Sequence, residues 1–161
     1  AAYSGVGRRF QITDDVRIGD ARITLVDDYG HHPTEIARVV ETARAVWPER
    51  RLVMAYQPHR YSRTRDLYDD FVRVLSGLDA LVLLEVYAAG EEPIAGADGK
   101  ALARGIRQRG GVEPVFAETP EEALDLLPGL VRDGDVVLVQ GAGNVNQISG
   151  TLAPAAEGVR Q

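Results

Sequence analysis

The sequence predicts an α/β fold: a doubly wound, mostly parallel sheet with helices on both faces and a small N-terminal hairpin. Three observations lead there. Short apolar runs alternate with stretches of helical periodicity, the pattern of parallel strands joined by crossover helices. Two of the runs, Ala80–Tyr87 (ALVLLEVY) and Asp135–Gln140 (DVVLVQ), are apolar nearly throughout, as in strands covered on both faces. The residues able to do chemistry collect after the predicted strands, not before them.

The elements follow in order. Arg9–Thr13 and Val16–Ile18 are two short segments able to pair as an antiparallel hairpin. Arg22–Val26 (RITLV) is the first long strand. Pro33–Trp47 carries Ile36, Val39, Val40, Ala43, Val46 and Trp47 on one helical stripe. Arg51–Tyr56 is the next strand, and a helix over Thr64–Leu78 places Leu67, Tyr68, Phe71, Val74, Leu75 and Leu78 on one face. After Ala80–Tyr87 comes a weaker helix, Asp98–Gln108, which contains Gly105 and stops before Gly110-Gly111. Glu113–Ala117 reads as an edge strand, because Pro114 has no N–H to give to a ladder. Thr119-Pro120-Glu121-Glu122 is a helix start with Thr at the cap, Pro at the first position and Glu at the third. The strand Asp135–Gln140 and a last helix from about Asn144 complete the chain.

The 161 residues fit one domain, and 45% apolar residues suffice for one core. A net charge of −6 argues against a nucleic-acid or membrane-surface partner, which needs a basic face. There are no cysteines, so there is no disulfide framework and no thiolate metal site. A reducing, cytoplasmic setting is the expectation. The longest apolar runs are far too short to span a bilayer. The chain opens on Ala1 rather than Met, which leaves room for an upstream segment.

In an open parallel sheet, ligands bind beyond the carboxyl ends of the strands. Asp27-Asp28-Tyr29-Gly30-His31-His32 follows the first long strand, and Gln57-Pro58-His59-Arg60-Tyr61-Ser62-Arg63 the second. Tyr87-Ala88-Ala89-Gly90-Glu91-Glu92 and Gly141-Ala142-Gly143-Asn144 follow the other two. All three histidines lie in these loops. His32 and Glu35 read best as a helix start. Asp27 and Asp28 are either strand-end caps or site carboxylates. Arg60 and Arg63 are either solvated charges or a fork for a carboxylate or phosphate, aided by donors at a helix end. No known zinc-ligand spacing includes His31 and His59, and no metal site is expected from this chain. Gly96-Ala97-Asp98-Gly99-Lys100-Ala101 fails as a phosphate loop, with Ile94 and Ala101 at the required Gly and Ser/Thr positions. Gly141-x-Gly143 fails as a dinucleotide fingerprint, with Asn146 at the third glycine position.

The strings Gly7-Arg8-Arg9-Phe10, DDYGHHPTEI from Asp27, QPHRYSRTRDLYDDF from Gln57, LEVYAAGEEPIAGAD from Leu84 and VQGAGN from Val139 resemble the Mur ligase family, in particular its alanine-adding branch. The resemblance runs over nearly the whole chain. It implies the C-terminal domain of a three-domain enzyme, a Rossmann-like sheet over residues 9–161 with an interdomain linker remnant at 1–8. The UDP-sugar domain and the central ATPase domain would lie upstream. The implied reaction joins L-alanine to UDP-N-acetylmuramate through an acyl phosphate made with ATP and Mg2+, both held mainly by the central domain. By position, Arg9 and Asp28 are similar to nucleotide-contacting residues. Tyr29, His31, His59, Arg60 and Arg63 are similar to residues around the incoming alanine, with His31 and His59 as the catalytic candidates. Gly143 and Asn144 are expected to line the same pocket. A muropeptide ligase that accepts a tripeptide is the close alternative, and a non-catalytic nucleotide- or amino-acid-binding module the distant one. The isolated domain is expected to be inactive.

Overall fold

Strands that are apolar throughout send side chains to both faces and must be covered twice, and this chain does so with helices on both faces of one six-stranded sheet. The computed structural model describes residues 8–153. Nearly all of the expected linker remnant, including Gly7 of the first matching string, lies outside the described residues, as do residues 154–161.

In chain order the elements are β1 (Gln11–Ile18), β2 (Ala21–Asp28), α1 (Pro33–Val46), β3 (Leu52–Tyr56), α2 (Tyr61–Asp66), α3 (Tyr68–Leu75), β4 (Ala80–Leu84), α4 (Gly99–Arg109), β5 (Pro114–Ala117), α5 (Pro120–Leu126), a 3-10 turn (Leu127–Gly129), β6 (Val136–Gln140) and α6 (Asn146–Leu152). The strand order is β1-β2-β6-β3-β4-β5. Only β1 runs antiparallel, against β2. Every residue of β3, β4 and β6 is buried. Leu52, Met54 and Tyr56 face a core closed by Ile36, Phe71 and Leu102 of α1, α3 and α4. Val53 and Ala55 face the other, closed by Ala123 of α5 and Ile148 of α6. No helix among the described residues is long and apolar enough to cross a membrane.

The starts of α1, α4 and α5 are close to those the sequence signals. His32 caps α1 through its ring nitrogen, with Glu35 reaching back to the cap. Asp98 caps α4 and Thr119 caps α5. Gly110 ends α4 in the left-handed region, where a Cβ would be strained. β5 lies at an edge, as Pro114 requires.

Three details differ from expectation. The hairpin is present, but its two arms are β1 and β2. The two short opening segments are one strand, continuous through a bulge between Thr13 and Val16, with Asp15 in the left-handed region at φ 62°. The helix expected over Thr64–Leu78 starts earlier and is two helices, broken at Leu67 (φ −116°, ψ 25°). Thr64 Oγ1 donates back to the Arg60 carbonyl at 3.0 Å, a bond that bends a helix. β4 ends at Leu84, not Tyr87, because the Glu85 carboxylate turns the chain by accepting from the N–H groups of Val86 (2.8 Å) and Gly99 (2.9 Å).

The carboxyl edge of the sheet is organised by Asp28. Its Oδ2 accepts from Phe10 N–H at 2.8 Å, and its Oδ1 accepts from Gly30 N–H (2.8 Å) and Gln140 Nε2 (2.9 Å). The same Gln140 nitrogen donates to the Gly30 carbonyl at 2.9 Å. One buried carboxylate thus ties the chain entry, the loop after β2 and the end of β6. Asp28→Asn puts an NH2 group where an acceptor is needed and should destabilise the domain by about 2 kcal/mol. Urea unfolding measures this, and an unchanged midpoint would refute the hub.

Candidate functional site

The loop after β2 starts with two carboxylates that do different work. Asp27 takes a two-point pair from Arg8, with guanidinium nitrogens at 3.0 and 3.1 Å. Asp28 is spent on the three bonds above. The Arg9 guanidinium donates to the Tyr29 hydroxyl and lies over its ring, 5.1 Å from the centroid. Arg9, Asp28, Tyr29, Glu35 and Arg38 line a hollow of about 170 Å³.

Glu35 accepts from the backbone N–H groups of His31 (2.9 Å) and His32 (3.0 Å), so the helix-start reading of His32 and Glu35 is the one the structure has. Burial works to raise the Glu35 carboxyl, but these two bonds and the nearby imidazoles outweigh it and leave it below its ordinary value. The His31 ring takes no part in the cap. Its Nδ1 is 3.4 Å from the Tyr29 carbonyl and 3.9 Å from the Glu35 carboxylate. The Tyr56 hydroxyl donates to the His31 carbonyl at 3.1 Å, holding the loop down.

The loop after β3 faces this one. The rings of His31 and His59 are 5.5 Å apart. Arg63 donates to the His59 carbonyl at 2.9 Å and lies 3.4 Å from its Nδ1. Arg60 has φ 79°, a conformation that strains any residue with a Cβ by roughly 1–3 kcal/mol. It is held there from both sides. Its N–H donates to the Tyr87 carbonyl (2.8 Å), and its carbonyl accepts from Thr64 N–H (3.3 Å) and Oγ1 (3.0 Å). Arg60 and Arg63, with Ser62 and Asp66, line a second hollow of about 340 Å³.

Of the backbone donors at the start of α2, one is already engaged. Ser62 N–H and Oγ, at the start of α2, both donate to the Glu91 carboxylate, at 3.0 and 2.5 Å. These bonds hold Glu91 below the ordinary carboxyl value, and they engage both donors of Ser62. The His59 imidazole is pushed below its ordinary value, first by burial and then by His31, Arg63 and Arg60, with Glu91 pulling the other way.

The turn after β6 closes the site. Gly141 has φ 142°. Gln57 clamps the turn, its Oε1 accepting from Val145 N–H (3.1 Å) and its Nε2 donating to Asn144 Oδ1 (2.7 Å). A Cβ on Gly143 would lie 2.5 Å from Gln57 Oε1 and 2.6 Å from Tyr87 Cγ, so only glycine fits. The Tyr87 ring stacks on His59 at 5.5 Å and 13°.

The structure therefore brings His31, His59, Arg60, Arg63, Gly143 and Asn144 to one stretch of the edge, and Arg9, Asp28 and Tyr29 to the adjoining hollow. Sequence reasoning assigned no role to Gln57, Gln140, Tyr87 or Glu91. The signal for the two glutamines was present: each is a polar residue at the end of an otherwise apolar strand.

An open, mostly parallel sheet with cations, imidazoles and a glycine turn at its carboxyl edge defines an α/β domain whose candidate ligand site lies at that edge. Residues 8–143 match the Mur ligase, glutamate ligase domain family, and the chain belongs to it. It is 59% identical over 152 residues to the UDP-N-acetylmuramate–L-alanine ligase of Methylococcus capsulatus, covering 94% of this chain and 32% of that protein. The chain thus spans about a third of that relative's length. Among solved structures it resembles the UDP-N-acetylmuramate–alanine ligase of Thermotoga maritima, with a TM-score of 0.66, 27% identity, and 94% of this chain and 30% of that one covered. A murein peptide ligase from Psychrobacter arcticus has the same fold, with a TM-score of 0.66 at 18% identity over 92% of this chain and 29% of that one.

The lowered His59 sets a pH expectation. Between that lowered value and the ordinary one of about 6.5, the folded chain binds fewer protons than the unfolded chain. Stability therefore falls as pH drops through this window, and His59→Gln should flatten the fall. An NMR titration of the imidazole with a midpoint at or above the ordinary value would contradict it.

Proposed function

We propose that this chain is the C-terminal domain, residues 9–161 behind a linker at 1–8, of an ATP-dependent ligase that adds L-alanine to UDP-N-acetylmuramate in cytoplasmic peptidoglycan precursor synthesis. The observation that carries the reading is the placing of Arg63 against His59, beside Arg60 and His31, in a chain 59% identical to an alanine ligase. A free amino acid has a carboxylate to grip and an amine to deprotonate, and these residues offer a partner for each.

In this reading Arg60 and Arg63 hold the alanine carboxylate, since guanidiniums match two oxygens at once. His59, kept neutral by burial and its cationic neighbours, retains a ring nitrogen able to accept a proton from the amine. His31 and Tyr29 complete the wall, with Gly143 and Asn144 beneath. The guanidiniums also suit the negative charge that develops when the amine adds to an activated carboxyl.

ATP fits the first hollow at its edge only. Arg9 and Arg38 there suit phosphate oxygens, whereas the oxygens of Asp28 already accept three bonds, which favours a role for Asp28 in placing the Arg9 segment. Bound ATP supplies the phosphoryl group that activates the sugar's carboxylate. Mg2+ belongs with the central domain in this reading, because the first hollow offers Glu35 and an engaged Asp28 beside two cations.

In the full-length enzyme, Arg63→Ala should raise the KM for L-alanine or abolish turnover while sparing UDP-sugar binding. Unchanged alanine kinetics would overturn the role of Arg63. Offering L-alanine and the tripeptide side by side tests the acceptor, and preference for the tripeptide would favour the muropeptide ligase. The 161-residue chain alone should show no ligase turnover, and turnover by it would refute the division of the site between domains.

A further inference from the structure

Tyr87 belongs to none of the roles above, yet it is an exposed side chain at the site that is held on several sides. Its backbone is fixed on both sides, with its N–H donating to the Pro58 carbonyl and its carbonyl accepting from Arg60 N–H, each at 2.8 Å. This makes an isolated parallel bridge to His59 outside the main sheet. Its ring is stacked on the imidazole of His59 and pressed against Gly143 with no room for a Cβ. Gln57 locks the turn behind it. Despite these contacts Tyr87 is 40% exposed. Ile12 and Val46 are the other large apolar side chains left exposed among the described residues, and they lie on β1 and at the end of α1.

We infer that Tyr87 is the specificity-determining residue of the acceptor site, the apolar wall that limits the side chain of the incoming amino acid to about one carbon. The inference rests on the reading that this edge receives a free α-amino acid. Such a ligand has three groups on Cα to place. The carboxylate goes to Arg60 and Arg63, and the amine faces the imidazole of His59. The remaining side chain needs apolar surface next to both, and the Tyr87 ring is that surface. Because the ring is backed by His59 and by Gly143, in the turn that Gln57 clamps, it has no room to retreat and admit a larger substituent. A rigid wall discriminates by exclusion, and one methylene in such a pocket is worth roughly 10–200-fold in kcat/KM.

The test uses the full-length ligase with saturating ATP and UDP-N-acetylmuramate, measuring kcat/KM for glycine, L-alanine and L-valine. Tyr87→Phe should keep the wild-type order. Tyr87→Ala should raise the valine-to-alanine ratio by about tenfold or more, with the KM for the UDP-sugar unchanged. Tyr87→Trp should shift preference from alanine toward glycine, which covers the case in which the alanine variant fails to fold. Equal losses on all three amino acids in both variants would overturn the inference and leave Tyr87 as a support for His59. A wild-type enzyme inert to all three would instead overturn the acceptor reading, and would be seen before any variant is made.

Discussion

The edge of the sheet that carries the chemistry depends on the carboxylate of Asp28. A buried carboxylate is tolerable only when donors replace its water, and three do so here: Phe10 N–H, Gly30 N–H and the Gln140 amide. The bonds reach in three directions. One fixes where the chain enters β1 and so where Arg9 sits. A second sets the turn that presents Tyr29 and His31. The third reaches across to the end of β6, whose following turn carries Gly143 and Asn144. Gly30 is part of the same joint, because a Cβ there would lie 2.8 Å from both Asp28 Oδ1 and Gln140 Nε2.

A second joint works by strain rather than charge. Arg60 takes a backbone conformation that its Cβ disfavours, and bonds from the loop after β4 and from α2 hold it. The same loop sends Glu91 to the start of α2 and lays Tyr87 on His59. The loops after β3 and β4 therefore behave as one body. Strain kept at a site in this way fixes the guanidinium's origin in advance of any ligand.

How much of this could be read from sequence depends on how local each cause is. The strands were legible because buried parallel strands are continuous apolar runs, and the starts of α1 and α5 because caps act within four residues. The break at Leu67 was not, since Leu67, Tyr68, Phe71, Val74 and Leu75 fit one helical stripe that runs through it. The bulge in β1 hid for a similar reason, because a register shift erases the alternation that marks a strand. At the site, the loops were legible as clusters of unusual residues after strands. The long-range ties were not. Glu91 meets Ser62 across 29 positions and Gln57 meets Val145 across 88, and no local pattern announces either.

The two hollows also explain why this domain is suited to be one wall of a site rather than a whole one. Arg9 and Arg60 are exposed and Arg63 is half-buried, so their charges are largely screened by water. Two unit charges 4 Å apart interact by about 1 kcal/mol in water and about 4 kcal/mol at the effective dielectric of a partly covered protein surface. The grip of these guanidiniums on an anion therefore strengthens severalfold only when another surface displaces the solvent. Rigid placement is already provided by the Asp28 and Arg60 joints. What the domain lacks is cover. In the proposed enzyme, closure of the other domains supplies that cover, so binding strength rises when the substrates are assembled and the amine is positioned against them.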